Sequence, residues 1–241
     1  MSNVLANKIE RLVKEFVVFE NEQESTAVTL WIIGTYLMDV WQLWPKLYIY
    51  SPEKECGKTR LLSLVEALSK DGRMASNISL SALNRIIESK RPTLCIDEAD
   101  LFLKNNHELT GVINAGHTRR SAIRLISEKN SKGHWEAKEF SLWSPQAIAG
   151  IGTQADTLMS RSIKIQLRRK YQSEKVSTFP FNFFDICHDT RHQLLNWSKN
   201  FILDPINLPN TGPDRARDNW KPLFQIAKQL GDNWLSKSSD A

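Results

Sequence analysis

Residues 47–59 read LYIYSPEKECGKT and are followed at 60–68 by RLLSLVEAL. The first five residues are mainly apolar or aromatic and predict a buried strand, whereas the leucines after Thr59 recur at helical spacing. Gly57 and Lys58 therefore lie where a strand passes through a short loop into a helix. This order of elements is the start of a βαβ unit, and it predicts an α/β fold built on a parallel sheet.

The loop between this strand and helix matches the phosphate-binding pattern G-x-x-x-x-G-K-[ST] at every fixed position except the first, where Pro52 replaces glycine. Such a loop surrounds phosphates with successive backbone N–H groups in front of a helix N-terminus. Lys58 would reach the β- and γ-phosphates, and the Thr59 hydroxyl would bind Mg²⁺. We therefore predict that the chain binds ATP and Mg²⁺. The predicted nucleotide-binding residues are Pro52, Glu53, Lys54, Glu55, Cys56, Gly57, Lys58, Thr59 and Arg60.

Two adjacent carboxylates follow a second short apolar run at 94–96. Asp97 can hold the metal together with Thr59, and Glu98 can activate the water that attacks a γ-phosphate. An alternative is that the acidic residues only favour the N-terminus of a solvated helix, an account that suits Asp100. The apolar run that leads into Asp97 favours ATP hydrolysis, with Glu98 and Lys58 as catalytic residues and Thr59 and Asp97 as metal ligands.

The composition limits the class of protein. Hydrophobic residues make up 41% of the 241 residues and charged residues 24%, which are values of folded globular proteins. The three cysteines have no metal-ligand spacing. The most apolar window, 27–50, is interrupted by polar residues, so we predict a cytoplasmic protein without a membrane partner. The net charge of +5 is compatible with nucleic acid but too small to establish it.

Periodicity along the chain predicts an alternating core followed by a helical unit. The core, 1–170, begins with two helices, the second of which is expected to end at Pro45. The second unit, 171–241, is predicted to be a small helical lid over the nucleotide. An antiparallel β-hairpin is expected within the core, before its fourth parallel strand. The predicted segments after the N-terminal helices are strands at 47–51, 73–76, 93–97, 122–128, 135–143, 146–151 and 162–167, and helices at 58–70, 80–89, 108–115, 156–161, 183–201 and 213–230; a loop is expected at 208–213.

Five segments, at 51–62, 96–103, 147–152, 156–170 and 214–227, resemble a family of AAA+-related P-loop ATPases of unassigned function. Members of that family occur in phage and plasmid proteins, often fused to primase modules. The resemblance implies an oligomeric, ring-forming ATPase with a parallel-sheet core. A primase, a nuclease or another effector would then be a separate chain.

The resemblance also implies roles for single residues. It covers most of the chain, roughly residues 11–235. Lys58, Thr59, Asp97 and Glu98 would take their usual ATPase roles. Thr153 would lie in the sensor 1 position, Arg161 in the arginine-finger position and Arg215 in the position of the sensor 2 arginine. Ordinary surface roles, such as salt bridges at helix ends, remain the alternative for both arginines.

The predicted hairpin carries or adjoins several basic residues that could follow the phosphates of single- or double-stranded DNA without reading sequence. In related helicases such a hairpin points into the channel of the ring. The alternative is a solvated hairpin with ordinary surface charge. The candidate nucleic-acid contacts are Arg124, Lys129, Lys132, His134 and Lys138.

Two functions from different classes follow. The first is a Mg²⁺-dependent ATPase that remodels or translocates on nucleic acid, in replication or in a mobile element. The second is a binding module, such as an initiator, a loader or a defence-system subunit, which uses ATP as a switch and turns over slowly. A small-molecule kinase is disfavoured by the adjacent Asp97 and Glu98.

Overall fold

The computed structural model describes residues 2–75, 78–103, 106–209 and 212–241. Short 3₁₀ turns lie at Met38–Val40 and Arg119–Ser121. The helices and strands, in chain order, are α1 (Ser2–Phe16), α2 (Glu24–Gly34), β1 (Lys46–Ser51), α3 (Lys58–Leu68), β2 (Arg73–Ala75), α4 (Leu80–Lys90), β3 (Leu94–Ile96), α5 (Ala99–Phe102), α6 (His107–Ala115), β4 (Ile123–Lys129), β5 (Trp135–Ser141), β6 (Gln146–Ile151), α7 (Asp156–Met159), β7 (Ser162–Gln166), α8 (Phe183–Ser198), α9 (Asp214–Leu230) and α10 (Asp232–Asp240).

Five strands form one parallel sheet in the order β2-β3-β6-β1-β7. Strand β1 pairs with β6 from Leu47 opposite Ala147, and with β7 from Lys46 opposite Ser162. Because the strands are parallel, their last residues lie at one edge of the sheet, here called the carboxyl edge, and their first residues at the other, the amino edge. The predicted α/β class with a parallel sheet is confirmed.

The hairpin is a separate two-stranded antiparallel sheet. Strands β4 and β5 pair from Ile123 opposite Ser141 to Lys129 opposite Trp135. The hairpin is attached to α4, where Glu88 accepts a hydrogen bond from the backbone N–H of Ser141. The sequence-based prediction of an inserted hairpin before the fourth parallel strand is therefore confirmed.

The C-terminal helices pack on the N-terminal ones. Helices α9 and α10 contact α2, and α8 contacts α1 and α3. Trp234 of α10 is fully buried, and it belongs to the same apolar cluster as Trp31 of α2 and Leu47 of β1. The contacts of 183–240 are mainly with the helices beside the sheet, and α9 also contacts β7, so these residues share a core with 1–170.

Boundaries of most elements agree with the prediction to within a few residues, with two additions, α5 and α10. Helix α2 ends at Gly34, well before Pro45, where the sequence predicts its end. The sequence does not predict helix α10, because apart from Trp234 and Leu235 its residues are polar and carry little helical periodicity. Positions 76 of the predicted strand 73–76, and 210–211 of the predicted loop 208–213, lie outside the described residues. Within the described ranges, every helix is too short or too polar to cross a bilayer.

Gly34 and Gly111 form a matched pair for testing the packing at the end of α2. A Cβ atom on Gly34 would lie 1.9 Å from the Cη2 atom of Trp44, and the Trp44 ring is itself buried against Trp41. We expect Gly34→Ala to lower the free energy of unfolding by roughly 1–3 kcal/mol, because the ring must move. Chemical denaturation measures this change.

Gly111→Ala in α6 is the control, since a Cβ atom there meets nothing within 4 Å. Alanine in a helix interior is favoured over glycine by roughly 0.5–1 kcal/mol, so this variant should be as stable as the parent or slightly more stable. Equal denaturation midpoints for Gly34→Ala and the parent would contradict the packing described for Trp44.

Candidate functional site

Loop 52–57 connects the end of β1 to the start of α3 at the carboxyl edge. Gly57 caps the helix with φ 89° in the left-handed region, and Glu55 has φ 64°. In the described part of the chain, the backbone N–H groups of residues 53–60 donate to no protein acceptor. A run of free N–H groups in front of a helix N-terminus is an arrangement that binds anions.

The Lys58 ammonium lies inside this loop. Its Nζ donates to Ser51 Oγ at 2.6 Å and to the Glu53 carbonyl oxygen at 3.0 Å, and Ser51 Oγ donates to the same carbonyl at 2.6 Å. These oxygens are neutral, so the charge of Lys58 is oriented by the loop without being neutralised by it. Ser51 is not among the site residues predicted from the sequence; its place as the last residue of β1 was the available signal.

The loop is also held by an arginine that the sequence does not single out. Arg169 follows β7, and its guanidinium lies 3.6 Å from Glu53 and 3.5 Å from Glu55; it also donates to the Lys54 carbonyl oxygen at 3.4 Å. It thereby offsets two carboxylates that would otherwise repel an anion in the loop. Cys56 is buried as a free thiol, while Pro52 and Lys54 are exposed.

A cavity of about 380 Å³ opens beside the loop. Lys58, Thr59 and Arg60 form one wall, and the other walls come from the segments 16–18 and 168–176. Phe16, Val17, Val18 and Val176 make part of the surface apolar. The size and the mixture of apolar walls with a few polar groups are typical of small-molecule sites.

Arg60 fixes the segment after β7 against this cavity. Its guanidinium donates to the Ser177 carbonyl oxygen at 3.5 Å and lies 5.9 Å from the ring centroid of Phe179. Arg168 forms a two-pronged contact with Glu174, at 2.8 and 2.6 Å. Of the predicted lid, 171–241, the part that lines the cavity is this non-helical segment.

The acidic residues at the end of β3 take distinct roles. Asp97 Oδ1 accepts a hydrogen bond from the Glu98 N–H at 2.8 Å, and Glu98 adopts left-handed φ of 54°. Asp100 Oδ1 accepts from the Ile151 N–H at 2.9 Å, which ties α5 to the end of β6. Asp100 is therefore a structural residue, whereas Glu98 is exposed.

Strand β6 lies between β1 and β3 in the sheet, so loop 52–57 after β1 and Asp97 after β3 are about 10 Å apart. Thr153 follows β6 and therefore lies between them. The preceding residue, Gly152, donates its N–H to the Ser51 carbonyl oxygen at 2.9 Å. Within the described residues, Thr59 makes no hydrogen bond to either acid, and no three His, Cys, Asp or Glu side chains gather as a metal site. The parallel strands thus bring the predicted metal ligands to one edge without joining them.

Arg161 lies at the opposite edge. It precedes β7, its carbonyl oxygen accepts from the Lys46 N–H at 3.0 Å, and its guanidinium donates to the Thr157 carbonyl oxygen at 2.7 Å. Strand β1, from Lys46 to Ser51, separates the two edges by roughly 17 Å. Arg161 and Lys58 of one chain therefore cannot contact the same phosphate.

Arg215 lies beside Arg161 and not beside the loop, where a sensor 2 arginine is expected. Its guanidinium donates to Ser160 Oγ at 3.2 Å, and both arginines line a cavity of about 370 Å³ at the amino edge. The cause is the packing of α9: Asn219 pairs with His117 Nε2 at 2.8 Å and donates to the Ser160 carbonyl oxygen at 3.0 Å. These contacts hold the start of α9 at the amino edge.

The polar groups behind these arginines are buried. The Lys46 side chain has no hydrogen-bond partner for Nζ among the described residues, and burial lowers its pKa to about 7, with the charge of Arg161 acting in the same direction. Burial also lowers the pKa of His117 to about 4, against the effect of its hydrogen bond to Asn219. The nearby charges of Lys46, Arg161 and Arg215 act in the same direction as burial on the pKa of His117.

The candidate nucleic-acid residues divide into two groups. Arg124 is paired with Glu108 of α6, and Lys138 lies 3.5 Å from Glu128 across the hairpin. Lys129, Lys132 and His134 lie at or next to the turn and are exposed, with Lys129 Nζ 5.3 Å from the ring centroid of Trp135. Hence the tip, and not the whole hairpin, offers basic groups to a partner.

No protein-family model matches the chain, and no curated protein is similar to it in sequence. The resemblance of its five segments to AAA+-related ATPases therefore stays a prediction.

Lys46→Met tests the burial of the ammonium group. The pKa of Lys46 falls from 10.5 to about 7 on folding, so between these values the unfolded chain binds a proton that the folded chain lacks. Stability from this group consequently rises as the pH increases from 7 towards 10. We expect the rise between pH 7 and 9 to be roughly 1–3 kcal/mol in the parent and to disappear in Lys46→Met.

The measurement is chemical denaturation at pH 7, 8 and 9. Lys164→Met is the matched control, because Lys164 lies in the neighbouring strand β7 and is exposed. A parental pH dependence that persists unchanged in Lys46→Met would contradict the uncompensated burial of this group.

Proposed function

We propose that the chain is a Mg²⁺-dependent ATPase that works on nucleic acid as an oligomer, a ring of identical copies. The observation that carries the proposal is the run of backbone N–H groups at residues 53–60, which donate to no acceptor among the described residues, in the loop that also holds the Lys58 ammonium. Together they offer a triphosphate a set of preorganised donors. The resemblance to AAA+-related ATPases supports the same conclusion.

Each residue at the carboxyl edge has a role in this proposal. The loop amides and Lys58 bind the β- and γ-phosphates, and the adenine of ATP would enter the apolar part of the cavity near Phe16 and Val176. Thr59 and Asp97 would hold Mg²⁺, which supplies neutralisation of phosphate charge. Thr153 would contact the γ-phosphate or the attacking water.

Hydrolysis is assigned to Glu98. The carboxylate accepts a proton from the water whose oxygen forms the new bond to the γ-phosphorus, and ADP leaves with the electron pair of the broken P–O bond. The exposed position of Glu98 and its left-handed backbone are compatible with this role, since backbone strain is concentrated at functional sites.

The position of Arg161 supports the proposed assembly. This residue is roughly 17 Å from its own loop along β1, so a finger role requires the loop of a second copy. Such a finger stabilises the charge of the transition state and can contribute about 10³- to 10⁵-fold in rate. The oligomer is therefore part of the proposed mechanism.

A second function is favoured by the charges of the hairpin. Arg124 and Lys138 are paired with carboxylates, which leaves two lysines and a histidine near the turn. This is a small basic surface for a motor that follows DNA. It suits a module in which bound ATP switches the binding of nucleic acid or of a separate effector protein, with slow turnover.

Lys58→Ala and Glu98→Gln test the ATPase directly. Lys58→Ala should weaken ATP binding by about tenfold to a hundredfold, because it removes charge-assisted hydrogen bonds to the phosphates. Glu98→Gln should bind ATP as the parent does and lower turnover by about 10² to 10⁴, because it removes the proton acceptor. Binding of a fluorescent ATP analogue and release of phosphate are the two measurements.

The controls are Lys70→Ala, just beyond the far end of α3, and Glu139→Gln, an exposed position of β5. Both should match the parent in binding and turnover. Parental turnover by Glu98→Gln would remove the assignment of this carboxylate, and parental ATP affinity of Lys58→Ala would remove that of the loop.

The hairpin tip is tested by replacing Lys129, Lys132 and His134 with alanine together. We expect weaker binding of single-stranded DNA with unchanged basal turnover. The slope of log K against log salt should become shallower by roughly 0.7 for each phosphate that the variant no longer binds.

The matched control replaces Lys199 and Lys221 with alanine, which removes two exposed lysines beside α8 and on α9. This double variant should keep the parental slope. An unchanged slope in the hairpin triple variant would favour the module that does not follow DNA through this hairpin.

A further inference from the structure

Two arginines, Arg161 and Arg215, lie side by side at the amino edge. In the described residues, Arg161 and Arg215 take part in no salt bridge; their contacts are the Thr157 carbonyl oxygen and Ser160 Oγ. The acidic residue among those lining their cavity is Asp218, which is exposed. Arg161 is half-buried and Arg215 is exposed, and an anion bound between two guanidinium groups offsets their mutual repulsion.

The lining of this cavity also includes a buried polar atom. Asn114 lines the cavity, and its Oδ1 atom is buried without a hydrogen-bond partner among the described residues. Nζ of Lys46 is also buried without a partner in the described part of the chain, but Lys46 lies near Arg161 without lining the cavity. Buried polar groups are seldom left unpaired. Asn114 Oδ1 accepts hydrogen bonds, so a water molecule that hydrates a bound anion, and not the anion itself, would be its donor.

The chemistry of the walls suits a phosphate group. Arginine presents a planar set of N–H donors that matches the oxygens of phosphate, and Thr118 and Ser121 line the same cavity. The guanidinium of Arg215 is held in place by Ser160, and the start of α9 by Asn219. The site is therefore built before a ligand arrives.

We propose that Arg161 and Arg215 form a single phosphate-binding site at the amino edge, so that Arg215 acts on the same phosphate as Arg161 and not on the nucleotide of its own chain. The phosphate can come from two sources: free in solution, or as the terminal phosphate of a nucleotide in the loop of a second copy. The second source rests on the proposed ATPase function, whereas the first does not.

The first arm of the test measures the binding of inorganic phosphate by calorimetry. All proteins in this arm carry Lys58→Ala, which weakens phosphate binding at loop 52–57, and Lys58→Ala alone is the reference. Replacing either Arg161 or Arg215 with alanine should weaken binding by about tenfold to a hundredfold. Arg215→Lys should restore it only in part, because lysine keeps the charge without the planar donors.

The control is Arg217→Ala, which removes an arginine from the same helix but from the lining of a different cavity, near Trp220. This variant should bind phosphate as its parent does. Circular dichroism and thermal midpoints establish that each variant is folded.

The second arm mixes two inactive chains and measures ATP turnover. Arg215→Ala has an intact loop and Lys58→Ala has intact arginines, so a contact between the two chains can join one working set. Recovered turnover identifies the nucleotide of a second copy as the source of the phosphate. Phosphate binding that depends on both arginines, without recovered turnover, identifies free phosphate as the source.

The outcomes separate this site from the proposed function. If the protein has no ATP turnover but its phosphate binding depends on Arg161 and Arg215, the proposed ATPase function is wrong and the phosphate site stands. The site would be overturned if phosphate binding did not depend on Arg161 and Arg215 and replacing Arg215 did not lower ATP turnover. The same conclusion would hold if phosphate binding did not depend on these arginines and the parent itself had no turnover.

Discussion

The parallel pairing of β1 with β6 and β7 is the constraint on which the arrangement of the candidate residues depends. It sends the ends of three strands to one edge, and with them loop 52–57 and Thr153. It sends their beginnings to the other edge, with Lys46 and Arg161. Strand β1 joins the two edges directly. The distance and direction from loop 52–57 at the carboxyl edge to Arg161 at the amino edge are therefore fixed. A head-to-tail contact between copies is the geometry that brings such unlike edges together, and repeated contacts of this kind close into a ring when the rotation between copies permits it.

Those parts of the fold that depend on neighbouring residues were predictable from the sequence. The strand, loop and helix around Gly57 follow from local apolar periodicity, and the left-handed φ of Gly57 explains why a glycine stands there. The hairpin follows from two alternating segments around a polar turn. The acids after β3 were predictable for the same reason, since a short apolar strand leads directly into Asp97.

The parts that depend on distant residues were not predictable in this way. Arg169 meets Glu53 and Glu55 across 114 or more positions of the chain, and no local pattern distinguishes it from other arginines. Lys46 is one of the polar residues that interrupt the apolar window 27–50, and nothing in that pattern predicts its burial at the start of β1. The position of Arg215 depends on the packing of α9 through Asn219 and His117, which its own sequence does not encode. The resemblance to AAA+-related ATPases predicts that Arg215 lies near the nucleotide of its own chain, whereas the packing of α9 places it at the amino edge.

The tryptophans near α9 give the molecule an optical property. The rings of Trp41 and Trp44 are stacked with centroids 5.3 Å apart, and Trp44 lies 6.2 Å from Trp31. Trp41 Nε1 donates to Gln225 of α9 at 2.8 Å, so the geometry of this aromatic group is tied to the helix that carries Arg215. Electronic transitions of indole rings at such distances couple, and the coupling changes sign and size with their mutual angle. The near-ultraviolet circular dichroism of the folded chain is therefore sensitive to the position of α9 against these tryptophans, without any added label.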